Sequence, residues 1–379
     1  MIQAQSSAPM IASPPSSRIR AFTADDVPQV ADLHRRAFQV ADHPTPELMG
    51  SYQIYLTQVY LENPCQQGAV ASLVYEDKNG KVVGFLAAVP RRMSFNGEAI
   101  QGMIASQLVV DPETRGGAGV KLVDALLAGS HDFTIADEAN SDSRRIFEGL
   151  GGVTSHVYGM RWIYPLRPCQ FGRFVANRKD SAPGFLSALS TPIALTLDKL
   201  AQWLLKFPNL PSAPSFAGEE LVAETLVGFL SEAGRKESIR SDHDGVSLNW
   251  ALKRAGQLRR NGRLQKVLVK DEKGRIAGCY IYYLNPNGIS EVIGLYANAG
   301  FAHHILEHLF EHAWRLGAIA LSGRMQAGFS QAFSDKHCLL HCGPLWVMIH
   351  SRRPELVQAF NRGNAGFSRL DGEWCLHFR

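Results

Sequence analysis

Six consecutive residues, Arg115, Gly116, Gly117, Ala118, Gly119 and Val120, are the best placed in the chain to hold a ligand. They follow an apolar run ending in Leu108, Val109 and Val110, and precede apolar residues at helical spacing to Leu127. A strand that stops and a helix that starts there expose backbone N–H groups without intrahelical partners. With the positive end of the helix dipole they favour an anion, and pyrophosphate is the obvious one. Glycines let the chain approach phosphates without Cβ contacts. A plain strand-to-helix turn has a similar composition, so the loop alone leaves both readings open.

Two further clusters carry metal-ligating side chains. His304, His308 and His312 recur every four residues and share one helical face. Ile305, Leu306, Leu309, Phe310 and Ala313 define the buried face of that helix, so the histidines read as a solvated polar stripe. His337, Cys338, His341 and Cys342 precede Gly343, Pro344 and the apolar run 345–349, and read as the entry to a strand. No metal is expected at either place.

The elements that position the loop are legible upstream. Residues 18–22 form a short strand-like run, and Thr23 with Asp26 caps a helix whose Val27, Val30, Ala31 and Leu33 have helical spacing. The runs 71–75 and 82–89 flank Asp77, Lys78, Asn79 and Gly80, a hairpin signal. A second pair, 92–95 and 98–110, turns at Asn96 and Gly97. Downstream, 133–136 reads as a buried strand, 141–150 as a helix and 157–164 as a closing strand.

Seven prolines punctuate 165–217 around one amphipathic helix at 193–206, which gives a connector. Beyond it the pattern of the first half returns. The run 267–278 echoes 73–84, each with a turn glycine four residues before a strand glycine (Gly80 and Gly84; Gly274 and Gly278). A strand at 291–297, a short loop Asn298, Ala299, Gly300, a helix to about 316 and a strand at 318–321 follow in the same order, which argues for duplication. Leu370, Asp371, Gly372, Glu373 and Trp374 read as a turn before a final strand.

Composition sets limits. The 379 residues suit two domains, and the 45% hydrophobic and 20% charged fractions are those of a globular protein. A net charge of +4 without a basic run gives a nucleic-acid partner no support. No apolar stretch is long enough to span a membrane, and the Ser/Pro-rich start lacks the pattern of a signal peptide. Six scattered cysteines favour a reducing, cytoplasmic setting.

The run from Leu108 through Asp111, Pro112, Arg115 and Gly116 resembles the signature of the GNAT (N-acetyltransferase) superfamily, in which an apolar strand and a proline lead into an Arg/Gln-x-x-Gly-x-Gly/Ala loop. In element order the resemblance covers 18 to about 166. It implies an α/β fold (α+β, mixed sheet) of two tandem GNAT-like domains joined by a Pro-rich helical connector: a tail at 1–17, an acyl-CoA-binding domain at 18–165, the connector at 166–217 and a degenerate domain at 218–379. It implies pantetheine contacts on Leu108, Val109 and Val110, and pyrophosphate contacts on Arg115, Gly116, Gly117, Ala118, Gly119 and Val120. Ala118 and Val120 depart from the family's glycine positions. Asn140 is expected to cap a helix and contact the cofactor. Phe147 stands where relatives often carry a tyrosine that protonates the leaving thiolate. Ser106 and Gln107 occupy the positions near which relatives place a basic glutamate. The substitutes on offer are Glu138, Asp137, His131 and Tyr158, each of which also serves as an ordinary solvated or capping side chain.

The function implied is an N-acyltransferase using acetyl-CoA or another acyl-CoA, acting on a small amine or amino sugar by direct attack. Two other classes fit the same motifs: a non-catalytic acyl-CoA sensor or scaffold, and a FemABX-like aminoacyl transferase using charged tRNA.

Overall fold

A computed structural model describes residues 17–40, 43–65, 72–114, 117–177, 196–198, 216–233, 237–286 and 288–378. The expected tail up to residue 16, Arg115, Gly116 and most of the connector lie outside these. The described residues form a mixed α/β fold with two mixed sheets. They divide into two compact units, one within Met1–Glu62, Val70–Ala88 and Gln107–Gly129, the other within Asn63–Ala69, Val89–Ser106 and Ser130–Arg379.

In the first unit, strand β1 (Arg18–Ala21) pairs antiparallel with β2 (Leu73–Glu76), and β2 with the start of β3 (Val82–Phe95). The end of β4 (Glu98–Val110) completes this part of the sheet. Helices α1 (Val27–Ala37) and α2 (Pro46–Tyr60) bury Val30, Leu33, Tyr52 and Leu56. Thr23 and Asp26 form the expected capping box before α1. Helix α3 (Ala118–Leu127) buries Leu122, Val123 and Leu126, the face its apolar spacing marks out.

The second unit takes the far ends of β3 and β4. They turn at Asn96 (φ +50°) and Gly97 (φ +89°), the two successive positive-φ residues a tight hairpin requires. Strand β5 (Phe133–Ala139) runs parallel to β4, with Gly102 opposite Phe133 and Ile104 opposite Ile135. Helix α4 (Ser141–Gly149), strand β6 (Val153–Thr154), the helical turn α5 (His156–Gly159), β7 (Met160–Pro165) and helix α6 (Pro168–Ala176) follow.

Next come β8 (Ala217–Glu220) of the second sheet, helix α7 (Ala223–Ala233), β9 (Ile239–Ser241), which pairs with β3 in the first sheet, and helix α8 (Gly245–Gln257). Strands β10 (Arg263–Lys270), β11 (Ile276–Leu284) and β12 (Ile289–Ala297) form a meander, and helix α9 (Ala302–Arg315) crosses to β13 (Ala320–Arg324), parallel to β12. Helix α10 (Ser330–Asp335), β14 (Leu339–Cys342), β15 (Trp346–His350), helix α11 (Pro354–Asn361) and β16 (Ala365–Gly366) complete the described elements, apart from single 3-10 turns.

Alternation along β11 splits the core. Tyr280 and Tyr282 join Ile305, Leu309 and Phe310 of α9, whereas Cys279, Ile281 and Tyr283 join Leu226 of α7 and Leu248 and Ala251 of α8. Sheet membership does not follow chain order. Strand β7 pairs with β13 and β14 of the later sheet, and β15 pairs with β5 and β6 of the earlier one.

Two sequence expectations need correction. His308 and His312 are not a solvated stripe: both are half-buried, with Nδ1 2.9 Å from the Tyr280 and Tyr282 hydroxyls. Residues after Leu370 do not enter a strand; Glu373–Leu376 is a 3-10 turn.

Candidate active site

The end of β4 is shaped by one residue. Gln107 has φ +46°, a left-handed conformation that breaks the strand's alternation. Its Oε1 lies 2.7 Å from His34 Nε2, and His34 Nδ1 lies 3.2 Å from the Tyr52 hydroxyl. Helices α1 and α2 thus anchor the irregularity. Beyond it the Asp111 N–H donates to the Val83 carbonyl at 2.9 Å. Antiparallel alternation puts the backbone groups of Val109 on that same side and turns those of Leu108 and Val110 away from β3. Asp111 is buried and paired with Arg36 (3.1 Å) and Lys81 (3.5 Å). Burial alone would raise its carboxyl, but Arg36 and the Glu113 N–H hold it below the usual range.

Gly117 is the N-cap of α3 at φ +80°, a region costly for residues with a Cβ. The first-turn N–H groups of Ala118, Gly119 and Val120 precede any intrahelical partner. Ala118 is buried, Gly119 half-buried, and the Val120 side chain 44% exposed. The Lys121 ammonium sits 3.3 Å from the Tyr75 hydroxyl. Anchored strand end, left-handed glycine and open helix start are what anion binding needs.

In the second unit, β5 ends in a buried charge network. Arg324 Nη2 donates to both the carbonyl and Oδ2 of Asp137, each at 2.9 Å. Asp137 Oδ1 accepts from the Glu373 N–H at 2.7 Å, and Glu373 Oε1 accepts from the Glu138 N–H at 2.6 Å. Glu138 pairs with Arg369 at 3.2 Å and lies 3.6 Å from His377 Nε2. Arg369 and Arg161 both pair with Glu291, at 2.9 and 2.6 Å. Burial first, then Asp137 and Glu138, push the Glu373 carboxyl well above its ordinary value. Only glycine fits at 372, where a Cβ would stand 2.2 Å from Asp137 Oδ2.

The other sequence candidates are placed as follows. Asn140 caps α4, its Oδ1 accepting from the Ser143 N–H at 2.8 Å, and Phe147 is buried. The buried Tyr158 hydroxyl donates to the Ala365 carbonyl at 2.5 Å and accepts from the Ala365 N–H at 2.9 Å, while burial pushes its pKa up. His131 Nε2 lies 2.6 Å from Thr134 Oγ1, and burial, with His350 and Arg352, lowers its pKa to about 4. Sequence reasoning missed Glu373, Arg324 and Arg369. The only signal was the Leu370–Trp374 run, whose acidic pair was read as turn chemistry.

The Acetyltransferase (GNAT) domain family matches residues 18–135. No curated protein sequence matches the chain. Among solved structures, a protein of Enterococcus faecalis V583 described as a probable N-acyltransferase is similar over 89% of this chain and 73% of its own, at 12% identity and TM-score 0.58. A GCN5-related N-acetyltransferase from Anabaena variabilis gives the same coverage and TM-score at 13% identity. Another GCN5-related N-acetyltransferase, from Kribbella flavida, covers 89% of this chain and 71% of its own at 13% identity and TM-score 0.53. These likenesses speak to fold. Residues 18–135 thus match a GNAT acetyltransferase domain, and that match supports an acyltransferase.

Proposed function

We propose that the protein is an acyl-CoA-dependent N-acyltransferase that uses acetyl-CoA and transfers the acetyl group to a small amine or amino sugar by direct attack. The observation that carries this reading is the end of β4, where the left-handed Gln107 interrupts the strand shortly before the left-handed Gly117 opens α3. Leu108, Val109 and Val110 would take the pantetheine, and Arg115 to Val120 the pyrophosphate. Asn140 and Phe147 are carried over from the family as further cofactor contacts. Main-chain N–H groups at the strand end would stabilise the oxyanion of the tetrahedral intermediate. Glu138 or Asp137 is the proposed acceptor of the amine's proton. Residues 218–379 are proposed as a second GNAT-like domain, after a connector at 166–217, whose short Asn298–Gly300 loop no longer holds a cofactor.

The test is calorimetric titration of the full chain with acetyl-CoA and CoA, repeated on Gly117→Asp, followed by thiol release across an amine panel. Binding lost in the variant and CoA release with an amine are expected. Binding without release from any amine would favour the sensor, a reading that Phe147, lacking a proton to give, keeps open. No binding at millimolar ligand would leave the tRNA-dependent class.

A further inference from the structure

Parallel pairing of β12 with β13 runs from Ile289 opposite Ala320 to Val292 opposite Gly323 and stops there. Against β11 the register of β12 shifts at the same level, between Ile281 and Tyr282. At the free end of β12 a cavity of about 590 Å³ opens, within the size range of small-molecule sites. Its wall includes Glu237, Ser241 and His243 from β9 and its flanks, and the apolar Leu295, Ala302 and Phe329.

Two polar atoms of this wall are unsatisfied. Glu237 Oε2 and Ser241 Oγ are buried without a hydrogen-bond partner among the described residues. Burying such a group without a partner is costly, more so when it is charged, so its retention points to a partner that the described residues do not supply. His243 adds a third group. Its Nε2 lies 2.6 Å from Asp371 Oδ1. The other Asp371 oxygen accepts from the Ser368 N–H and Oγ at 2.7 and 2.6 Å. Burial would raise Asp371, yet His243 and Ser368 bring it down to about 2. An ionised Asp371 can only accept, so the shared proton belongs to Nε2, which leaves Nδ1 as the ring's second hydrogen-bonding atom. Arg240, the cation of the same strand, is engaged by Ser94 Oγ (2.8 Å) and Asp242 (3.4 Å). The wall therefore meets its ligand with a carboxylate, a hydroxyl and an imidazole nitrogen, and offers apolar surface beside them.

We infer that this cavity binds a hydroxylated primary amine of amino-sugar size, its ammonium on Glu237 and its hydroxyls on Ser241 and His243. That this ligand is the acyl acceptor rests on the N-acyltransferase reading; that the cavity binds it does not. The decisive experiment is calorimetry on the full chain, with and without saturating CoA, using glucosamine, galactosamine and ethanolamine, with glucose as the control lacking an ammonium. At least one amino sugar should bind at least tenfold more tightly than glucose. Glu237→Gln should weaken it tenfold or more at an unchanged thermal midpoint, and Ser241→Ala severalfold. Failure of every amine to bind, or full affinity in Glu237→Gln, overturns the inference. A parallel acetyl-CoA titration separates the two readings. Amine binding without acetyl-CoA binding keeps the cavity and sinks the transferase, and acetyl-CoA binding without amine binding does the reverse.

Discussion

The segments 73–127 and 267–315 repeat one plan down to single hydrogen bonds. In both hairpins an aspartate carboxylate accepts from two turn N–H groups: Asp77 from Asn79 and Lys81, Asp271 from Lys273 and Arg275. Gly80 and Gly274 stand at φ +80° and +76°. Strand glycines Gly84 and Gly278 sit where the following helix packs, against Leu122 of α3 and Ile305 of α9. The next strand ends on the same bond, Asp111 N–H to Val83 and Asn298 N–H to Ala277. Parallel pairing begins nine residues upstream of that bond in both, at Gly102 and at Ile289. What differs is the loop. Six residues, Pro112 to Gly117, lead to α3, but only three, Ala299 to Phe301, lead to α9. Shared scaffold and unshared loop teach that hairpin, strand and helix are the framework, and that the extra loop residues are what sets the two segments apart.

Asp137 and Arg324 hold matching places, four residues after Phe133 and Ala320 in the parallel strands, and they pair with each other at 2.9 Å in a fully buried setting. Breaking this pair should give the largest effect. Arg324→Met strands the Asp137 carboxylate and should cost about 3–5 kcal/mol by urea unfolding. Arg324→Met combined with Asp137→Leu should recover most of the loss; no recovery would mean the pair matters through other partners.

Next come the strand glycines. A Cβ at Gly278 would stand 2.3 Å from the Tyr296 carbonyl oxygen, which is backbone and cannot step aside, whereas at Gly84 the closest atom is the end of Leu122 at 3.0 Å. Gly278→Ala should cost about 2–3 kcal/mol and Gly84→Ala about 1. Equal costs would mean that the Tyr296 carbonyl gives way as readily as the Leu122 side chain.

The two segments should also part on acidification. Tyr280 stands where the first hairpin has Leu86, and its partner His308 is pushed down to about 4, by burial first and then by His312 and Arg315. A histidine whose folded pKa lies below its ordinary 6.5 leaves the unfolded chain binding more protons in between. Its contribution is intact above about pH 6.5 and fades as pH falls toward 4. Urea midpoints at pH 7 and pH 5 should differ less in His308→Gln than in the wild type.

The smallest stability effect sharpens the loop contrast. Gly117→Ala and Gly300→Ala each place a Cβ at positive φ, +80° and +84°, and should each cost about 1 kcal/mol. Only Gly117→Ala should weaken acetyl-CoA, by about tenfold (about 1.4 kcal/mol). Equal weakening by both would erase the distinction between the loops.

Local chemistry made much of this legible in the sequence. Turn residues named both hairpins, and apolar spacing named α1, α3 and α9 with their buried faces, because these depend on neighbours within a few residues. The start of α3 after Gly117 was readable for the same reason. Only the tertiary structure decided the partners of β7 and β15, since strand pairing across 150 residues or more leaves no periodic trace. It also decided the charge network around Asp137, Glu138 and Glu373, and the cavity beside Glu237 and His243. Burial gives those side chains their meaning, and burial is set by what the rest of the chain lays over them.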